Sequence, residues 1–222
     1  MSSIRNLIDL DDCLATDLAW RKKELSILIG LIETKSFEKS KTNVLLRSGI
    51  TLLYAHWEGY IKCAASAYLE FVSNVARQKN FKYRDLTYNF IAIAMKGELN
   101  EASTSNQSTI HNKVVEFLIE GINERANVPT KDVIQTGSNL SSKVLYQILI
   151  LLNLDHNPYE INQVLIDKKL LQQRNMIAHG EYLDTDVESY KELHEKIIAM
   201  MNLFKDQIEN NAVLELYLQT DK

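Results

Sequence analysis

Glycine and proline are scarce in this 222-residue chain, at 7 and 2 residues. Sheets need frequent turn residues, so this scarcity argues for long helices. Cysteine is scarce too. Cys13 and Cys63 lie far apart in helical contexts, which excludes a disulfide scaffold and a cysteine-based zinc site. Both read as small core hydrophobes. No apolar run reaches the roughly 18 residues a membrane span needs. Acids interrupt the first stretch, MSSIRNLIDLDDC, where a secretory signal would be apolar. A cytoplasmic protein without a membrane segment is expected.

Several chemistries are also missing. No Gly-x-Gly-x-x-Gly or Walker-type loop is present to cradle a nucleotide, and no Gly-x-Ser-x-Gly elbow to carry a serine nucleophile. His56/Glu58 and Glu192/His194 are spaced two apart, so they diverge on a helix and cannot form a metal pair. Neither a metal nor a cofactor is expected. A basic surplus is absent as well: the net charge is −4. Residues 181–222 carry −6 (10 acids, 4 lysines), and residues 1–180 carry +2 (19 acids, 21 bases). Nucleic-acid binders are usually basic overall, so any such site here must be local.

What is present is hydrophobic periodicity in a chain that is 45% hydrophobic, enough for a real core. Leu7, Leu10, Leu14, Leu18, Leu25, Leu28 and Ile32 recur at threes, fours and sevens, which predicts a long amphipathic helix over 4–32. The stretch KSFEKSKTN breaks it and exposes Lys35, Lys39 and Lys41. A second helix over 42–77 is apolar on most sides and should be the most buried element. Residues 80–140 read as a less regular insertion. It has helices near 86–96 and 110–125, a polar loop ELNEASTSNQST between them, and a turn-rich segment from Asn127 with a short extended piece over 132–135. Helix resumes at Ser142, and Asn157-Pro158 opens another running to about His179, with Ile161, Val164, Leu165, Leu171, Met176 and Ile177 for packing. Gly180 stops it. Asp186 caps a last, acidic helix over 187–219. The expected fold is all-α: one domain over 1–222, an antiparallel helical bundle with a helical insertion at 80–140 and an acidic C-terminal helix within 181–222.

Two polar clusters stand out. Gln172–Asp184 reads QQRNMIAHGEYLD. On a regular helix Asn175 and His179 share a face, but Arg174 and His179 are about 140° apart. They converge only at a frayed last turn, or across a symmetry axis between two copies. Arg and His also suit a helix C-terminus simply by meeting its dipole. The second cluster, Arg47, Tyr54 and Glu58, forms a stripe on the apolar second helix. Buried polar residues need partners, and Arg174 is the natural one for Glu58. An internal Arg47–Glu58 pair without function is the plainer alternative. His56, Trp57 and Tyr60 read as structural. Lys168 and Lys169, upstream of Arg174, could hold a phosphate backbone.

Arg174-Asn175-x3-His179 near the end of a late helix resembles the Arg-x4-6-His signature of HEPN-type proteins (higher eukaryotes and prokaryotes nucleotide-binding). The helix RSGITLLYAHWEGYIKCAASAYLEFV and the segment SNLSSKVLYQILILLNL resemble the same nuclease branch of bacterial defence and toxin systems, in the same order. The resemblance implies a homodimeric bundle that pools two Arg/His sets, and metal-independent cleavage of an RNA substrate. A histidine titrates near pH 6.5, which suits His179 to acid–base work. Arg174 would stabilise phosphorane charge. Asn175 would bond phosphate or orient His179, and Glu58 would hold Arg174. Two residues past the histidine, where some HEPN toxins carry a tyrosine modified by their antitoxin, this chain has Glu181, with Tyr182 next. An antitoxin or defence-system partner is a further expectation. The alternatives are a non-catalytic HEPN interaction module and a small-nucleotide sensor.

Overall fold

The computed structural model describes residues 3–34, 38–104, 106–137 and 139–219, with Glu98 by its backbone alone. Within them the fold is helical, and the only extended pairings are two isolated bridges, Lys82 with Arg125 and Leu86 with Leu218. Three long helices make the frame: α1 (Leu7–Ile32), α2 (Lys39–Gln78) and α9 (Val187–Val213). Between them lie α3 (Tyr88–Ala94), α4 (Lys96–Thr104), α5 (Ser108–Ile119), α6 (Ser142–Leu151), α7 (Asn157–Glu160) and α8 (Gln173–Ala178).

α1 starts where Asn6 accepts a hydrogen bond from the Asp9 amide, at 2.9 Å. Its leucines face inward at Leu10, Leu14, Leu18 and Leu25, while Leu7 stays exposed in the first turn. Of the expected exposed lysines, Lys39 and Lys41 are exposed at the start of α2, and Lys35 lies outside the described residues. α2 is the spine. Half of its residues are buried, with Trp57, Tyr60 and Tyr68 at its centre. α1 is antiparallel to it, since the Ile4 amide donates to Glu70 near the far end of α2 (3.1 Å). α9 runs antiparallel to α1, with ion pairs joining Glu33 to Lys191 and Asp11 to Lys205. The Asp186 carboxylate caps α9 through the Ser189 amide, at 2.8 Å.

α9 ends at Val213 rather than near Gln219. Glu215 adopts φ 51, the Leu216 amide returns to the Asn211 carbonyl, and Tyr217 is buried. The tail then pairs with residues 85–87, where the Thr87 amide donates to the Tyr217 carbonyl at 2.9 Å. Burying Tyr217 therefore outweighs continuing the helix.

The 80–140 segment departs from expectation at two places. Most of the expected polar loop ELNEASTSNQST is helix α4. The hydroxyls of Ser103 and Thr104 return to the Asn100 carbonyl, so these turn-forming side chains are satisfied inside the helix. The expected extended piece at 132–135 forms no strand, because Asp132 sits at φ 57 in a turn.

The largest departure lies after Pro158. One continuous helix was expected from 159 to 179. The chain instead makes the short α7, a turn at 161–162, a π-helical stretch Leu165–Gln172 and then α8. The turn and the wider π winding reset the helical phase. Ile161 and Val164 are therefore exposed at 87% and 71%, while Ile166 and Leu170 carry the packing.

Candidate functional site

α8 delivers the Arg-Asn-His cluster, and its end is locked. The Gly180 amide donates to the Ile177 carbonyl (3.1 Å) and the Glu181 amide to the Met176 carbonyl (2.9 Å). This double bond pattern needs a left-handed residue, and Gly180 supplies it at φ 76. His179 is thereby the cap residue just past Ala178, exposed, with its amide bonded to the Asn175 carbonyl.

Arg174 turns the other way, inward. Its Nη2 donates to Asn139 Oδ1 at 2.9 Å, and its guanidinium carbon lies 3.9 Å from the centre of the Tyr54 ring. Its Nε is buried without a partner among the described residues. The Tyr54 hydroxyl accepts the Leu140 amide at 2.7 Å. Burial pushes the Tyr54 phenol above its ordinary value, with the nearby Glu58 charge adding to the shift. Tyr54 therefore remains a neutral ring beneath the cation.

The stripe Arg47–Tyr54–Glu58 does not act as one unit. Tyr54 alone meets Arg174. The expected Glu58–Arg174 ion pair does not form, nor does an Arg47–Glu58 pair. Glu58 stays half-buried beside Tyr54. Arg47 lines a largely apolar groove with Val44, Thr51, Ala55 and Ile177. The physical reason is competition: the loop before α6 brings a neutral amide to Arg174 Nη2, so that nitrogen is paired without a carboxylate.

Asn175 is half-buried, and Lys168 and Lys169 project into solvent from the π stretch. Asp167 on the same stretch accepts both the Ser142 amide (2.8 Å) and its hydroxyl (2.6 Å), which ties α6 to the helix carrying Arg174. Sequence reasoning passed over Asn139, Leu140 and Asp167. The signal was faint: a polar run, SNLSS, that reads as loop and cap. Among the described residues no group of three His, Cys, Asp or Glu side chains could hold a metal ion. No described helix is long and apolar enough to cross a membrane.

The helical bundle, with Arg-x4-His at the end of a late helix, is consistent with the all-α HEPN fold. The family model described as HEPN_MAE_28990-like HEPN matches residues 10–217, and the chain belongs to that family. No curated protein and no solved structure matches the chain.

Proposed function

We propose that this HEPN protein is a metal-independent endoribonuclease acting as a toxin or defence effector, and that it works as a homodimer. The observation that carries this reading is the divergence of Arg174 and His179. The one is half-buried over Tyr54 and the other exposed at the helix end. A single chain thus offers the two groups on different sides of one short helix. A second copy facing it would supply the missing partner of each, since a two-fold axis pairs like surfaces.

The chemistry follows from the residue types. A base removes the proton of an RNA 2′-hydroxyl, and its oxygen bonds to the adjacent phosphorus. The bond from phosphorus to the 5′-oxygen then breaks, and that oxygen takes up a proton. His179, open to solvent, serves as acid–base group, and Arg174 meets the charge on the phosphorane. Asn175 donates to phosphate, and Lys168 and Lys169 hold the flanking backbone. The products are a 2′,3′-cyclic phosphate and a 5′-hydroxyl. The test is incubation of pure protein with an RNA panel, including tRNA, in EDTA. Loss of an acid–base group typically costs about 100- to 10,000-fold in rate, which is the fall expected for His179→Ala. Equal cleavage by wild type and variant would end the catalytic reading.

A second reading is a non-catalytic interaction module. α5 favours it, because Val115, Leu118 and Ile119 are exposed on one face. Growth on induction separates the two. A defect that vanishes with Arg174→Ala supports the nuclease, and equal effects support the module.

A further inference from the structure

Two neighbouring residues at the end of the 127–141 loop reach the same spot. Asn139 Oδ1 accepts from Arg174 Nη2 at 2.9 Å, and the Leu140 amide donates to the Tyr54 hydroxyl at 2.7 Å. The Arg174 guanidinium lies on that same Tyr54 ring, at 3.9 Å. The three contacts close a circuit through three distant parts of the chain: α2, the loop and α8. A guanidinium N–H can meet only an acceptor, so the carboxamide must present its oxygen, which fixes the Asn139 rotamer as well.

The partners of Arg174 are both neutral. An amide oxygen and a phenol ring orient a guanidinium without cancelling its charge, whereas a paired carboxylate would satisfy it and compete with any anionic ligand. Glu58 is close enough to influence Tyr54 yet makes no ion pair with Arg174. The cation is therefore aimed and left available.

We propose that Asn139 is a positioning residue, which with the Tyr54 ring holds the Arg174 guanidinium in the orientation that meets a phosphodiester. The phosphodiester rests on the nuclease reading above, whereas the hold on Arg174 does not. Asn139 touches no reacting atom and acts only through Arg174.

The experiment pairs RNA cleavage with side-chain NMR of Arg174, for wild type, Asn139→Ala and Asn139→Asp. In wild type the Arg174 guanidinium signals are expected to be those of a slowly rotating group. Asn139→Ala frees it, and kcat falls roughly 10- to 100-fold with KM little changed, because orientation is lost where transition-state charge develops. Asn139→Asp retains an acceptor, so Arg174 stays held. Its added charge draws the cation from phosphate and raises KM. The proposal is overturned if Arg174 in Asn139→Ala rotates as slowly as in wild type, or if that variant cleaves with wild-type kcat. If wild type cleaves no RNA, the nuclease reading alone falls, and the Arg174 signals still decide the positioning claim.

Discussion

α2 and the segment from Asn157 to Ala178 both read from the sequence as single continuous helices, and they fold differently. α2 runs unbroken for 40 residues with half of them buried. The other breaks into α7, a turn, a π stretch and α8, and buries Tyr159, Ile166 and Leu170. α2 is enclosed by α1 and α9, so almost any slip in its winding would expose large side chains. The later segment has one packed side, and polar contacts to Asn139 and Ser142 decide its phase. A helix held by burial keeps regular winding, while a helix held by a few polar contacts can bend to them.

The sharpest way to break this contrast is to cut one apolar residue from each. Trp57→Ala should destabilise by about 3–5 kcal/mol, since the ring is fully buried. Ile161→Ala should change stability by about 0.5 kcal/mol or less, because the side chain is 87% exposed. Urea midpoints measure both. Comparable losses would show that Ile161 packs after all and that the helix is continuous.

A smaller effect is expected at the helix end. Gly180→Ala puts a side chain at φ 76, where L-residues are strained, and should cost about 1 kcal/mol. Because the turn also sets where His179 points, cleavage should fall more than stability does. An alanine variant as stable and active as wild type would mean that the locked turn does not matter.

The mildest test is pH, and it probes the bundle rather than the site. Burial lowers the pKa of His56 in α2 and of His194 in α9, against the opposing pull of Glu24 and Asp17 on the first and Glu195 and Glu33 on the second. Arg21 also lowers His56. Below the ordinary value near 6.5 the unfolded chain then binds more protons than the folded one. Stability is unaffected by these groups above that pH and declines as pH falls beneath it. His194→Gln should flatten the decline between pH 7.5 and 5.5 in urea titrations. An unchanged slope would show that His194 protonates freely in the folded chain.

Much of this was legible beforehand. The scarcity of glycine and proline pointed to long helices, and the three-four spacing of leucines located the first of them, because burial of a continuous stripe leaves a periodic trace. Gly180 and Asp186 announced their caps, since few residues tolerate a left-handed turn or accept from a free helix amide. Other features were hidden. The Asn100-bonded hydroxyls made a helix of an apparent loop. The π winding moved the packed face from Ile161 and Val164 to Ile166 and Leu170. The partner of Arg174 was an amide 35 positions upstream rather than Glu58.

The sequence by itself determined the helical class and the resemblance to HEPN proteins, and it singled out Arg174, Asn175 and His179 as candidates, because each is written in local pattern and residue type. Only the tertiary structure decided which way Arg174 faces and what holds it. That choice depends on which polar group a distant loop brings within 3 Å, and no periodicity in one helix records the position of another segment.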